Sequence, residues 1–121
     1  MDTAERTLER IKRQIAENSV LLYMKGSPDF PMCGFSAQVA RILNELNTKF
    51  AYVNILENPD IRATLPKYAN WPTFPQLYIE GELIGGCDIV TEMHKLGELK
   101  PKLAAVNALT QNEPLITLAA E

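Results

Sequence analysis

The chain has 121 residues, of which 46% are hydrophobic and 22% are charged, so it is long enough for one compact domain and too short for two ordinary ones. Its formal net charge of -3 argues against nucleic acid as the main partner, because phosphate binding requires clustered Lys and Arg. No apolar run is long enough to cross a bilayer and no signal peptide is recognised, so we expect no membrane partner. We expect a cytoplasmic location, or an organelle matrix if the source is eukaryotic.

The first half of the chain predicts two helices and two strands. Apolar residues at helical spacing predict a helix over about 3–17, and the continuous apolar run 20–24 is typical of a strand covered on both faces. The Gly- and Pro-containing segment 26–31 predicts a loop, after which a second helix begins just beyond Cys33. Residues 50–55 predict the second strand. The apolar stripe of the second helix consists of Phe35, Val39, Ile42, Leu43 and Leu46.

The middle of the chain predicts a helix and a hairpin. Asn58 is a good N-cap residue and Pro59 suits the first helical position, so we expect a helix that runs to about Tyr68. Residues 77–79 and 83–84 then predict two short strands joined by a tight turn.

Asp88 is placed to cap a further helix, which ends near Gly97, and another helix is expected over about 98–106. A βαβ unit followed by a helix and a hairpin gives a four-stranded mixed sheet with helices on both faces. The expected fold is therefore α/β and thioredoxin-like. The chain from Asn107 onward is expected to form a mobile tail.

Cys33 is the first candidate for chemistry, because it lies between a Pro-containing loop and the first turn of a predicted helix. Free N–H groups and the positive end of the helix dipole stabilise a thiolate there, and Lys25 at the end of the preceding strand adds a positive charge. An exposed thiolate is a nucleophile and a ligand for a soft metal centre. The alternative is a buried, inert cysteine, which this placement disfavours.

The motif at this position is Cys33-Gly34-Phe35-Ser36. A dithiol redox motif carries a second cysteine where Ser36 stands, and serine cannot close a disulfide with Cys33. Any redox cycle must therefore use an external thiol, for which glutathione is the obvious donor. The two cysteines are too few for a disulfide-stabilised secreted domain.

Three motifs in order resemble those of the monothiol glutaredoxins over roughly residues 5–105. They are Cys33–Ser36 with Lys25 upstream, Trp71-Pro72-Thr73-Phe74-Pro75, and Gly85-Gly86-Cys87-Asp88. The resemblance is closest to short, single-domain bacterial and organellar members, so residues 1–106 are assigned to a glutaredoxin domain and 107–121 to the tail.

The resemblance implies a glutathione site beside Cys33. Lys25 and Arg62 resemble its carboxylate partners, although by itself Arg62 is an ordinary solvated helix charge. Thr73 and Phe74 belong to a segment that pairs with glutathione through its main chain and precedes a cis proline, where the plain alternative is a turn. Cys87 and Asp88 correspond to the helix start that receives the γ-glutamyl end.

The resemblance also implies a [2Fe–2S] cluster bound by Cys33 and shared with a second protomer. Such a centre needs four ligands, so two chains and two glutathiones complete it in a homodimer. We expect a role in iron–sulfur cluster biogenesis, delivery and iron homeostasis, with a BolA-family protein and iron–sulfur apoproteins as partners. At most weak enzymatic activity is expected, and the alternative function is a glutathione-dependent thiol–disulfide oxidoreductase.

Cys87 is not assigned as a cluster ligand. We favour a small, buried hydrophobic residue beside the glutathione groove. A disulfide with Cys33 or a glutathione adduct under oxidation remains open.

Overall fold

The computed structural model of the chain describes residues 2–110 and 118–120. The helices are α1 (Thr3–Glu17), α2 (Gly34–Glu45), α3 (Pro59–Ala69), α4 (Cys87–Lys95) and α5 (Leu99–Ala104). The strands are β1 (Val20–Met24), β2 (Ala51–Asn54), β3 (Gln76–Ile79), β4 (Glu82–Gly85) and β5 (Leu118–Ala119). Every helix and strand predicted from the sequence is present.

The strands form one mixed sheet in the order β4-β3-β1-β2-β5. Strand β1 is parallel to β2 and antiparallel to β3, which pairs antiparallel with β4. The expected thioredoxin-like arrangement of these four strands is confirmed. The fifth strand, β5, pairs with β2 at the sheet edge and was not predicted, because two residues carry no alternation of polar and apolar side chains.

Apolar side chains of the central strand β1 belong to the hydrophobic core on both faces of the sheet. Residues Leu21 and Tyr23 pack with α1 and α3 on one face. On the other face, Val20, Leu22 and Met24 pack with α2, α4 and α5. Since successive strand residues point to opposite faces, a strand covered by helices on both sides must be continuously apolar.

Of the two predicted cap residues, Asn58 is confirmed in position and Asp88 needs correction. Asn58 occupies the N-cap of α3, but its side chain makes no capping bond and instead donates to the carbonyl oxygen of Asn54 at 2.8 Å. Its Oδ1 accepts a hydrogen bond from Arg10. Asp88 is not the cap of α4, because that helix begins at Cys87 and Gly86 holds the N-cap position. In the first turn the Asp88 carboxylate still lies near the positive end of the helix dipole.

The predicted tail lies partly outside the described residues, which omit 111–117 and 121. Ala108 is buried, and its carbonyl oxygen accepts a hydrogen bond from the Lys49 N–H. Farther on, the Ala120 N–H donates to the carbonyl oxygen of Tyr52 at 2.8 Å. The described parts of the tail therefore contact the sheet edge, while its mobility and the boundary at 107 stay predictions.

No helix in the described ranges combines the length and the hydropathy that a bilayer crossing requires.

Candidate functional site

Cys33 is the N-cap residue of α2, with extended backbone angles of φ -156° and ψ 136°. The pKa of its thiol is lowered from its ordinary value near 9.0, most strongly by the N–H of Ser36. Partial burial opposes this effect, and the Phe35 N–H, the positive charge of Lys25 and the Ser36 hydroxyl add to it. The side chain is half-buried, so its sulfur remains accessible. These observations favour a reactive cysteine over an inert one.

The loop before Cys33 is held by side chains from two other elements. The Lys25 N–H donates to the hydroxyl oxygen of Ser36 at 3.0 Å, and the Gly26 N–H donates to Oδ1 of Asn54 at 2.9 Å. The Met32 N–H closes the loop on the carbonyl oxygen of Lys25 at 2.9 Å. Because Ser36 is fully buried in α2, its hydrogen bond ties the backbone at Lys25 to the helix that begins beside the thiol.

A groove of about 560 Å³ opens beside Cys33. We call it the Cys33 groove, and its volume is typical of a small-molecule site. All seven residues predicted for the site line it: Cys33, Lys25, Arg62, Thr73, Phe74, Cys87 and Asp88.

Three elements besides the α2 start build the walls of the Cys33 groove. Arg62 projects from α3, and Thr73 and Phe74 belong to the connection from α3 to β3. The Phe74–Pro75 peptide bond is cis, as the resemblance implies. Cys87 and Asp88 belong to the first turn of α4, where backbone N–H groups have no partner within the helix.

Gly86 allows the α3–β3 connection to approach the start of α4. A Cβ atom at this position would lie 3.1 Å from the carbonyl oxygen of Pro75 and 3.5 Å from Nε1 of Trp71. The close contact explains why glycine precedes Cys87, since any side chain would push the two walls apart.

The charges in the Cys33 groove are concentrated in three residues. Lys25 and Arg62 supply two cations, although the whole chain carries a net charge of -3. Asp88 supplies an anion at the α4 start. This arrangement is complementary to a zwitterionic ligand with more than one carboxylate and an amine.

The sequence of this chain is similar to those of known glutaredoxins. The family model described as glutaredoxin matches residues 20–84. Glutaredoxin 4 of Escherichia coli (strain K12) is 62% identical over 107 residues, which cover 88% of this chain and 93% of the relative. Glutaredoxin 4 of Haemophilus influenzae (strain 86-028NP) is 62% identical over 84% of this chain and 95% of its own length.

This chain belongs to the glutaredoxin family. The solution structure of reduced poplar apo GrxS14 is 48% identical, with a TM-score of 0.69 over 85% of this chain and 92% of that one. The crystal structure of the buckwheat glutaredoxin–glutathione complex is 24% identical, with a TM-score of 0.78 over 88% and 96% of the two chains. The second likeness shows the fold alone.

Cys87 of this glutaredoxin lies on a boundary between two grooves. It lines the Cys33 groove and also a second groove of about 660 Å³ between α2 and α4, which Cys33 shares. Its Sγ lies 3.9 Å from the hydroxyl of Thr91, one helical turn away. The side chain is half-buried rather than sealed in the core, and both cysteines are free thiols. Its predicted role stays untested.

The prediction that Phe35 belongs to the buried stripe of α2 is wrong. Its side chain is 63% exposed and lies at the rim of both grooves. Two grooves open beside Phe35, whereas Val39 and Leu43 farther along the helix are fully buried. Phe30 and Met32 in the loop before Cys33 are also strongly exposed.

Two polar residues of the site were missed by the sequence analysis. Ser36 was interpreted only as the absence of a second cysteine, whereas its hydroxyl accepts a hydrogen bond from the Lys25 N–H. Gln76 was not considered at all, although it is fully buried at the start of β3. A polar residue that follows Pro75 and opens an apolar strand is the signal that would have found it.

Proposed function

We propose that this glutaredoxin is of the monothiol type, binds glutathione in the Cys33 groove and carries a [2Fe–2S] cluster between two copies of the chain. The observation that supports the proposal most is the accessible Cys33 sulfur at the N-cap of α2, where the pKa of the thiol is lowered, with Ser36 where a resolving cysteine would stand. The relatives named glutaredoxin 4, at 62% identity, support the same type.

The residues of the Cys33 groove match glutathione group by group. The tripeptide has two carboxylates, one amine and one thiol. Lys25 and Arg62 are the cations for one carboxylate, and the N–H groups at the α4 start are donors for the other. Asp88 is the anion for the amine. With both ends held in this way, the glutathione thiol comes next to Cys33.

The donor set of one chain is too small for a cluster. Among residues 2–110 and 118–120, no three His, Cys, Asp or Glu side chains come together as a metal site. Iron–sulfur clusters take four ligands, usually thiolates, and one chain offers Cys33. Two chains and two bound glutathiones supply four. The residues present therefore fit the cluster only when glutathione completes the set.

This shared ligation suits a cargo that is delivered rather than a permanent electron-transfer centre. Half of the thiolates belong to a dissociable tripeptide, so the protein retains the cluster weakly enough to pass it on. The proposal therefore includes iron–sulfur apoproteins as clients and a BolA-family protein as an alternative partner to the second copy. Iron homeostasis and a cytoplasmic location are parts of the same proposal.

The lowered pKa of Cys33 also favours a second candidate function, thiol–disulfide exchange with glutathione. The Cys33 thiolate attacks the glutathione sulfur of a mixed disulfide, which forms a Cys33–glutathione disulfide and releases the client thiolate. A second glutathione thiolate then attacks the bound glutathione sulfur, which releases Cys33 and forms oxidised glutathione. Ser36 takes no part in this exchange, consistent with an external thiol as reductant.

Anaerobic reconstitution with iron, sulfide and glutathione separates the two functions. The cluster carrier predicts visible charge-transfer bands and a dimer that requires both glutathione and Cys33. In that case Cys33→Ser abolishes cluster binding, whereas Cys87→Ser, the matched control, weakens it at most.

Iron retention by Cys33→Ser equal to that of the unaltered protein would contradict the ligand assignment. Efficient reduction of a glutathione mixed disulfide without any cluster would favour the oxidoreductase instead. Colour that develops only after a BolA-family protein is added would point to the mixed complex.

A further inference from the structure

A buried glutamine side chain lies behind the wall of the Cys33 groove. Gln76 is fully buried, and its Nε2 donates to the carbonyl oxygens of Trp71 at 3.0 Å and Thr73 at 3.2 Å. Both carbonyls belong to the α3–β3 connection that lines the groove. One amide group therefore fixes two points of this connection from the protein interior.

Tyr78 fixes the orientation of that amide. It lies two residues farther along β3, on the same face of the strand as Gln76, and its hydroxyl donates to Oε1 of Gln76 at 3.2 Å. Burial raises the pKa of Tyr78 to about 12, so the hydroxyl stays a donor at neutral pH. With Oε1 bonded to this donor, Nε2 is directed toward Trp71 and Thr73.

The Thr73 carbonyl determines where the next N–H points. The Thr73–Phe74 peptide bond is trans, so the Phe74 N–H is antiparallel to the Thr73 carbonyl. Because that carbonyl is directed inward to Gln76, the N–H is directed outward. Among the described residues, this N–H has no hydrogen-bond partner.

We infer that Gln76, oriented by Tyr78, is a positioning residue that aims the Phe74 N–H into the Cys33 groove. There it is a donor for a main-chain carbonyl of glutathione. The inference rests on the proposed function and adds to it a residue that does not itself touch the ligand.

A second tyrosine–glutamine pair provides matched controls within the same fold. The Tyr23 hydroxyl donates to Oε1 of Gln14 at 2.8 Å, and Gln14 is 2% exposed. The rings of Tyr23 and Tyr78 pack edge to face with their centroids 5.7 Å apart. Neither Gln14 nor Tyr23 lines the Cys33 groove. Their replacement therefore costs a similar buried hydrogen bond without altering the groove wall.

The test is the dissociation constant for reduced glutathione, measured by anaerobic calorimetry. We expect Gln76→Met to raise it about tenfold, the equivalent of about 1.4 kcal/mol, because the Phe74 N–H loses its fixed direction. Tyr78→Phe, which removes only the orienting hydroxyl, should raise it about threefold. Gln14→Met and Tyr23→Phe should leave it unchanged.

The amide resonance of Phe74 provides a readout that a loss of stability alone would not change. In the unaltered protein, titration with glutathione should shift this resonance, and in folded Gln76→Met the shift should be strongly reduced. Unaltered glutathione affinity in folded Gln76→Met, or equal weakening in Gln14→Met, would overturn the inference and leave the proposed function intact. Absence of glutathione binding by the unaltered protein would overturn both.

Discussion

Two helices of this glutaredoxin begin with a cysteine beside the same groove, and the two starts hold sulfur differently. Cys33 is the N-cap of α2, so its sulfur lies at the free N–H groups of the first turn, and the N–H groups of Ser36 and Phe35 lower its pKa. Cys87 is one position farther along, inside the first turn of α4, and its Sγ lies near the Thr91 hydroxyl. The two cysteines thus differ by one position relative to the helix start. The sulfur of Cys33 faces the free N–H groups of α2, whereas the sulfur of Cys87 faces a side chain of its own helix.

The segments that lead into the two helices also differ. A loop closed by hydrogen bonds to Ser36 and Asn54 precedes α2 and brings Lys25 to the thiol. Strand β4 leads directly into α4 through Gly85 and Gly86. This difference indicates that the chemistry of Cys33 depends on its loop as well as on its helix. Three substitutions test, in turn, the backbone of the loop, the charge of Lys25 and the start of α2.

The largest effect is expected from Gly26→Ala, which disturbs the Cys33 loop alone. Gly26 has φ +93°, and a Cβ atom there would lie 2.4 Å from the carbonyl oxygen of Phe30 and 2.7 Å from the N of Met32. Both contacts are with backbone, so the loop must distort. We expect the free energy of unfolding in urea to fall by about 2 kcal/mol.

Gly34→Ala is the matched control. Apart from its chain neighbours and the backbone of its own helix, nothing described in the structure lies within 4 Å of the Cβ position at Gly34. This residue is the first of α2, where alanine is well tolerated. Its effect on the free energy of unfolding should stay within about 0.5 kcal/mol. Equal stability of the two alanine variants would show that the loop does not require the backbone conformation of Gly26.

A smaller effect is expected from Lys25→Met, which removes a charge and keeps the length of the side chain. Because Lys25 lowers the pKa of Cys33, this pKa should rise toward its ordinary value. The ultraviolet absorbance of the thiolate, followed against pH in a Cys87→Ser background, measures the change. The N–H groups of the α2 start remain, so the pKa should stay below the ordinary value.

Lys95→Met is the control for general surface charge. Lys95 lines the second groove together with Cys33 but does not contribute to the lowered pKa. An equal rise of the pKa in both lysine variants would mean that the overall charge of the protein, rather than the Cys33 loop, tunes the thiol.

Local patterns predicted most of the fold. The bounds of β1 and α1 match the predictions, because a continuous apolar run and apolar residues at helical spacing are signals within one segment. Strand β5 and the exposure of Phe35 depend on neighbours distant in the chain, which no local pattern contains. Asn58 occupies the predicted N-cap but makes no capping hydrogen bond, and Asp88 lies past the N-cap Gly86. Residue preference does not decide which hydrogen bond a side chain makes.

The candidate site was predicted through motifs rather than through periodicity. All seven predicted residues line one groove. Six of them belong to the three motifs, which lie at the ends of elements that the sheet brings together, and Arg62 reaches the groove from α3. The residues behind the groove were not predicted. Gln76 donates hydrogen bonds to carbonyl oxygens of the α3–β3 connection, and Ser36 accepts one from the Lys25 N–H, which follows β1. Local sequence patterns contain no signal for either contact, because both form only when the chain is folded.

The smallest expected effect is a pH dependence of stability that belongs to Cys33 alone. Its pKa is lower in the folded chain than the ordinary value near 9.0, so the unfolded chain binds more protons between the two values. The contribution of Cys33 to the free energy of unfolding is therefore fully present above pH 9.0 and is lost as the pH falls through the folded-state pKa.

Urea unfolding under reducing conditions, from slightly acidic pH to above pH 9.0, measures this contribution. The difference between the unaltered protein and Cys33→Ser should grow with pH and then level off. Cys87→Ser is the control, because it keeps the Cys33 thiolate and should retain the rise. A constant difference between the unaltered protein and Cys33→Ser across this range would mean that the α2 start does not stabilise the thiolate. The two helix starts would then differ in the groups that lie beside each sulfur atom and not in the ionisation of Cys33.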